Sequence, residues 1–298
     1  MNITLVGPGA IGSLWAVKLA QAGHNLSLWR SKSTPKTAIS LDDQTPIAFI
    51  SNDIDSLQQC DLLLVTVKSW QLANAVQPLL KHLAPEAIIL LMHNGMGAVD
   101  KFANLINQHP VVLATTTQAA LKSDVNSVKH TGWGATQLGG WNDLGKKCDF
   151  LAEVLNHALP EVTWNSNIEQ ALWDKLIINC AINPLTAIHQ VPNGDLAAEN
   201  YRENWTQVVN EVHQVMTKLG LVSDLDNQLK RVEQVIHATA KNLSSMHQDI
   251  AHHRRSEVDF INGYVCQVAK QFDLATPANL SLYQAIKDIE QSWSHHES

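Results

Sequence analysis

The chain opens on Met1-Asn-Ile-Thr-Leu-Val6, an apolar, β-prone run, and passes at once into Gly7-Pro-Gly9-Ala-Ile-Gly12. Ser13-Leu-Trp-Ala-Val-Lys-Leu-Ala20 follows with helical spacing. Strand, tight turn and helix in that order is the context that makes G-x-G-x-x-G a dinucleotide-binding fingerprint. Gly7 permits the sharp turn, and Gly9 lets backbone N–H groups approach a pyrophosphate with no Cβ in the way. Gly12 lets the helix sit close on the strand. The phosphates then rest on the positive end of that helix, where unpaired N–H groups point outward.

With 298 residues the chain has room for about two domains, each with its own core. Hydrophobic residues make up 45% and charged residues 16%, which excludes a disordered chain. A net charge of -7 with scattered basic residues argues against general nucleic-acid binding. Cys60, Cys148, Cys180 and Cys266 are far apart and form no C-x-x-C, so they read as buried free thiols in a reducing cytoplasm. Two of the histidine pairs, His252-His253 and His295-His296, are adjacent and point to different faces of a helix. No H-E-x-x-H occurs, and no metal site is expected. No basic leader precedes the first strand and no apolar run is long enough to span a membrane, so neither a secretory signal nor a membrane partner is expected.

The first half alternates strand and helix, predicting a doubly wound α/β sheet over residues 1–166. Asn25-Leu-Ser-Leu-Trp-Arg30 reads as the second strand, after a helix stop at Gly23-His24. An NAD-binding sheet of this type carries an acidic residue about 20 residues past the glycines, to accept from the ribose 2′-OH. Here the strand ends in Arg30, followed by Ser31-Lys32. A cation suits a 2′-phosphate, so NADP(H) is expected. Residues 33–55 read as polar and irregular, apart from a short strand at Ile47-Ala-Phe-Ile50. Asp61 to Val67 is a buried parallel strand that delivers Lys68 to the carboxyl edge, where ligands of such sheets bind. Ala87 to Met92 delivers His93-Asn94-Gly95, and Asn94 offers donor and acceptor near the nicotinamide ribose. Val111 to Thr115 runs into small residues ending at Ala120, and Thr131 to Gly140 reads as a Gly-broken strand pair closing the sheet edge.

From residue 167 onward strand signals vanish, and an all-α domain is expected over 167–298. Residues 168–184 read as one long apolar helix. Lys175, Asn179 and Asn183 stand at i, i+4 and i+8 within it and share one face. That stripe is either a solvated surface with Lys175 snorkelling to water, or the lining of a substrate cleft. The apolar residues on the other faces favour the second, because buried polar groups need partners and a substrate with oxygens supplies them. Further helices are expected from Arg202 to Leu219, stopped by Gly220, from Asp224 to Lys241 and over residues 248–272, and a last one from Pro277 to about Ser292, with a frayed tail from Ser294 on.

Seven blocks, taken in order, resemble the ketopantoate reductase (2-dehydropantoate 2-reductase) family over essentially the whole chain. They are Gly7 to Gly12, Val65-Thr-Val-Lys-Ser-Trp70, His93-Asn-Gly-Met-Gly97, Leu172-Trp-Asp-Lys-Leu176, Asn179 to Ala187, Asn242-Leu-Ser-Ser-Met246 and Glu257-Val-Asp-Phe-Ile-Asn-Gly263. The resemblance implies NADPH-dependent reduction of 2-dehydropantoate to (R)-pantoate, on the route to pantothenate. It implies that Gly7, Pro8, Gly9, Ala10, Ile11 and Gly12 hold the pyrophosphate, and Arg30 (or Lys32) and Lys68 the 2′-phosphate. Asn94 and Ala120 would meet the ribose–nicotinamide end. Lys175 is the implied general acid, with Glu257 near both it and the cofactor. Asn179, Asn183, Asn193 and Ser245, the last preferred over Ser244, are the implied ligands of substrate oxygens. A cytoplasmic monomer or homodimer follows. The rival expectations are a reductase of another branched 2-keto acid and a non-catalytic NADP(H)-sensing protein.

Overall fold

The computed structural model describes residues 1–31 and 35–294. Lys32, the alternative phosphate contact, the His295-His296 pair and the tail beyond Ser294 lie outside the described residues. The chain divides into two compact units, Met1–His93 with Ala98–Ile168, and Asn94–Gly97 with Glu169–Ser298.

The first unit is a Rossmann-type sheet with helices. In chain order it contains β1 (Asn2–Val6), α1 (Ala10–Gln21), β2 (Asn25–Trp29), β3 (Lys36–Leu41), β4 (Ile47–Ser51), α2 (Ile54–Gln58), β5 (Leu62–Val65) and α3 (Leu72–Leu80). It continues with β6 (Ile88–Met92), α4 (Ala103–Ile106), β7 (Val111–Thr116), β8 (Ala119–Lys122), β9 (Ser127–Gly132), β10 (Thr136–Gly140), α5 (Leu151–Ala158) and β11 (Val162–Trp164). Strand order is β11-β10-β7-β6-β5-β1-β2-β4-β3-β9-β8. The run β7-β6-β5-β1-β2-β4 is parallel throughout. Numbered along the chain, those strands lie in the order of a dinucleotide-binding sheet, with the reversal beside β1. Leu5 sits opposite Leu28 on one side and Leu64 on the other, all three fully buried. Every residue of β5 and β6 is buried, as expected of strands covered on both faces.

Two expectations for this half need correction. Residues 36–41 form a strand, β3, antiparallel to β4. Its pattern has period two, with Thr37, Ile39 and Leu41 buried, but it lies between Pro35 and a turn in which Asp42 and Asp43 both take positive φ. The segment 131–140 is not a strand pair. β9 pairs with β8 and β3, whereas β10 pairs with β7 and β11, so Trp133 to Ala135 connect two different parts of the sheet. The hairpin is β8–β9, whose turn is closed by Asp124 accepting from the N–H groups of Asn126 (2.7 Å) and Ser127 (2.8 Å).

The second unit is helical: α6 (Ile168–His189), α7 (Glu199–Lys218), α8 (Leu225–Ala238), α9 (Ser245–Ala251), α10 (Asn262–Lys270) and α11 (Pro277–Ser294). Trp173, Cys180, Trp205, Val209, Met216 and Ile236 are among its core residues. The helix expected to reach Pro184 runs on to His189 with Pro184 inside it. Proline has no N–H for the carbonyl four residues back, which here is that of Cys180. Asn262, fully buried on α10, donates its Nδ2 to that carbonyl at 3.2 Å. The same amide donates to Asn279 Oδ1 (3.0 Å), and Asn279 Nδ2 donates to Glu211 Oε2 (2.8 Å). The Glu211 carboxylate also accepts from the backbone N–H groups of Ala278 and Asn279, at the positive end of α11.

The single helix expected over 248–272 is two helices. Ser244 caps α9, its hydroxyl accepting from His247 N at 3.0 Å. His253 takes φ +51°, and Arg254 N returns to the Asp249 carbonyl, which stops the helix. A 3-10 turn, Val258–Phe260, then leads into α10. Among the described residues no helix is long and apolar enough to cross a membrane.

Candidate functional site

Chemistry-bearing residues gather in two places, one in each unit. In the first, the turn after β1 has Gly7 at φ +80°, which a side chain would strain. The loop is tied on three sides. Gly7 N donates to the Trp29 carbonyl (3.0 Å), Gly9 N to the Gly7 carbonyl (2.7 Å), and the Thr66 hydroxyl to that same carbonyl (2.8 Å). A Cβ on Gly12 would stand 2.7 Å from the Gly7 carbonyl oxygen, so α1 can seat here only because that atom is missing. The N-terminus of α1 has no side-chain cap and no acidic residue in its first turn. Its outward N–H groups are therefore available to an anion.

Cations surround this loop. Arg30 N donates to Asn52 Oδ1 at 2.7 Å, and its guanidinium donates to the Thr37 hydroxyl on β3. Lys68 follows β5, whose Val65 pairs with Val6 of β1, and its backbone N–H is held by Gln71 Oε1 at 3.2 Å. Lys122, at the end of β8, donates from Nζ to the Pro8 carbonyl at 2.9 Å. Burial lowers the Lys122 pKa, and the charge of Arg30 lowers it further. An acid-free helix N-terminus with a guanidinium and an ammonium beside it fits a dinucleotide that carries an additional phosphate. Ala120 lies on β8, packed against the core of this unit. Lys122 and Thr66 carried no signal in the sequence. Nothing in the spacing says that β8 folds back so that its last residue meets the loop after β1.

The second place is in the helical unit and takes in the loop Asn94–Gly97. Lys175 Nζ donates to Asn94 Oδ1 at 2.9 Å. Burial lowers the Lys175 pKa to about 8, against the opposing pull of the Glu257 carboxylate. Glu257 is itself buried. Met96 N donates to the Phe260 carbonyl (2.8 Å), and Gly97 lies against the Tyr264 ring, so the loop that carries Asn94 rests on the segment that carries Glu257. Asp259, inside that segment, accepts from Arg255 (3.0 Å), Tyr283 (3.0 Å) and Lys287 (3.2 Å). Asn179 is half-buried and Asn183 buried, one and two turns beyond Lys175.

The remaining expected residues differ in how their polar atoms are used. Asn193 is buried; its Nδ2 donates to the Thr239 hydroxyl at 2.9 Å, and its Oδ1 has no partner. The Ser244 hydroxyl is engaged by His247 N and by the Thr186 hydroxyl at 2.7 Å. Ser245, the first residue of α9, is exposed. Together these groups offer a proton donor of lowered pKa, a carboxylate that opposes the lowering, and amides for oxygen ligands.

Residues 3–143 match the family model described as ketopantoate reductase PanE/ApbA, and residues 167–290 match the model of its C-terminal part. A 2-dehydropantoate 2-reductase of Vibrio cholerae is 52% identical over 99% of both chains. One from Escherichia coli is 38% identical over 98% of this chain and 96% of its own length. The crystal structure of a PanE/ApbA family ketopantoate reductase from Ralstonia eutropha superposes with a TM-score of 0.87, at 27% identity, over 99% of this chain and 100% of the other.

Proposed function

Since the chain belongs to the ketopantoate reductase family, we propose that it reduces the ketone of 2-dehydropantoate to the hydroxyl of (R)-pantoate with NADPH, in pantothenate biosynthesis. Residues 1–166 form the cofactor-binding domain and 167–298 the substrate domain, with the loop at Asn94 working alongside the latter. The loop Gly7 to Gly12 and the N-terminus of α1 receive the pyrophosphate. Arg30 and Lys68 answer the 2′-phosphate, and Asn94 and Ala120 the ribose and nicotinamide. On this reading the enzyme works in the cytoplasm, as a monomer or homodimer. Its four buried free thiols suit a reducing compartment.

The observation that carries the chemistry is Lys175, partly buried, bonded to Asn94 and of lowered pKa. When bound, NADPH supplies a hydride to the keto carbon. Negative charge then grows on the carbonyl oxygen. The Lys175 ammonium stabilises that charge and transfers its proton to the alkoxide, so the product leaves as an alcohol and the amine recovers a proton from water. A pKa of about 8 keeps the amine mostly protonated at neutral pH and makes it a better acid than an ordinary lysine. Glu257 keeps the cation from losing its proton too early. Asn94 aims the ammonium. Asn179 and Asn183 extend the same face, and the unpartnered Oδ1 of Asn193 accepts from a substrate hydroxyl. Ser245 has a free face from which to donate to the carboxylate, whereas the Ser244 hydroxyl is already used by the cap and by Thr186.

The test follows NADPH absorbance with 2-dehydropantoate and a panel of other branched 2-keto acids. The expected outcome is the highest kcat/KM for 2-dehydropantoate, and a loss of roughly two to four orders of magnitude in kcat for Lys175→Ala. Equal turnover by the variant removes Lys175 from the reaction. Cofactor binding without turnover of any keto acid overturns the assignment as an enzyme.

A further inference from the structure

Lys122 has no role in the scheme above, yet it ends on the nucleotide loop. β8 packs on α1, and its last residue sends an ammonium to the Pro8 carbonyl at 2.9 Å. That carbonyl also accepts from the Ser13 hydroxyl at 3.1 Å, so both partners hold the segment between Gly7 and Gly9. An ammonium has three protons, and one is spent there. The carboxylate that acts on Lys122 is Asp124, an exposed turn residue whose oxygen already closes the β8–β9 hairpin.

The neighbour that acts on Lys122 more strongly than Asp124 does is Arg30, and it has the same sign. Arg30 leaves the end of β2 and is anchored on Thr37 of β3. Arg30 directly follows Trp29, whose carbonyl accepts from Gly7 N, and Lys122 ends on the Pro8 carbonyl, so both cations stand at the same glycine loop. Two cations that face one loop repel each other, and an anion bound between them relieves that repulsion.

We propose that Lys122 is a ligand of the 2′-phosphate of NADPH, a second cation that joins Arg30 at the phosphate site and bridges it to the Pro8 carbonyl. This rests on the assignment of Arg30 to that phosphate. It makes Lys122 a determinant of preference for NADPH over NADH. A lysine that served only to brace the glycine loop would affect both cofactors alike.

The test is calorimetric titration of the full chain with four probes: NADPH, NADH, adenosine 2′,5′-bisphosphate and 5′-AMP. Lys122→Met should weaken NADPH and adenosine 2′,5′-bisphosphate by roughly 10- to 100-fold, as expected for one charge-assisted contact. NADH and 5′-AMP should bind within about twofold of their original affinity. Lys122→Arg, which keeps the cation, should retain most of the preference, and melting of each variant reports whether the fold survives. Uniform weakening across all four probes, or no weakening of any, overturns the proposal. Arg30→Ala is measured in parallel. If it leaves the preference unchanged while Lys122→Met abolishes it, the Arg30 assignment falls and Lys122 stands on its own result.

Discussion

Lys175 and Asn94 lie 81 positions apart in sequence and are joined by a 2.9 Å bond from ammonium to side-chain carbonyl. The loop that carries Asn94 is held in turn by Met96, whose N–H donates to the Phe260 carbonyl. Phe260 closes the same short turn that Glu257 precedes. The acceptor that aims the lysine and the carboxylate that steadies its charge therefore hang from one bracket, residues 257–260. That arrangement gives Lys175 opposing influences, burial that discourages the charge and Glu257 that favours it.

The pH profile should reflect both. Lys175 must be protonated to act as an acid, so kcat for ketone reduction should fall as pH rises through about 8. Glu257→Gln removes the influence that raises the pKa and leaves burial unopposed. The alkaline limb should then move to lower pH, and kcat at pH 7 should drop more than kcat at pH 6. The check is kcat against pH for both proteins with saturating substrate. A limb that stays where it was would mean that Glu257 does not act through the charge on Lys175.

The same lysine should cost stability. Its folded pKa lies below that of an exposed lysine, so between about 8 and the unfolded value near 10.4 the unfolded chain binds more protons than the folded one. Stability consequently rises with pH through that window, and below it the folded state bears the full penalty of a desolvated charge. Lys175→Met should be more stable than the natural protein at pH 7, with the difference shrinking as pH climbs from 8 to 10. Urea unfolding at three pH values measures it. A less stable variant at pH 7 would show that the ammonium is a structural asset.

Asp259 titrates in the opposite sense. Burial pushes its carboxyl up, but Arg255, Lys287 and Tyr283 together outweigh burial and hold it below the usual carboxylate range. Its contribution to stability is present above the unfolded value near 3.9 and is lost as pH falls through the lower folded value. Asp259→Asn should lower stability at pH 7 by about 1–2 kcal/mol and flatten the acid limb below pH 4. Because Asp259 sits in the bracket, kcat should fall as well, with little change in KM for the keto acid. Acid titration of unfolding and steady-state kinetics on the same variant separate the two effects.

The fold's parallel core was legible because its signals are local: β5 and β6 are continuous apolar runs, and the turn at Gly7 is a short pattern with a mechanism. β3 was not, because Thr37, Ile39 and Leu41 alternate over only six residues beside Pro35. The break between α9 and α10 was hidden for a different reason. Residues 252–256 have no Gly or Pro, and the stop comes from His253 in a left-handed conformation and from the return of Arg254 N to Asp249. The spacing of Lys175, Asn179 and Asn183 announced a polar face on one helix. It could not announce Asn94, whose place beside Lys175 depends on a tertiary bond from Met96 to Phe260. Lys122 was invisible for the same reason, since its contact with Pro8 spans 114 positions.

Asn262 offers a test of why a proline is tolerated in the middle of α6. Pro184 leaves the Cys180 carbonyl without its helical donor, and Asn262 Nδ2 takes that donor's place at 3.2 Å in a fully buried setting. Asn262→Ala should cost about 2–4 kcal/mol, because it strands both that carbonyl and Asn279 Oδ1. Pro184→Ala restores a backbone N–H for the same carbonyl. In that background the loss of Asn262 should cost roughly 1 kcal/mol less, since one of the two stranded acceptors regains a partner. A double-mutant cycle by urea unfolding gives the coupling directly. Strict additivity, within about 0.3–0.5 kcal/mol, would mean that the amide is not a substitute for the missing N–H and that α6 accommodates Pro184 by other means.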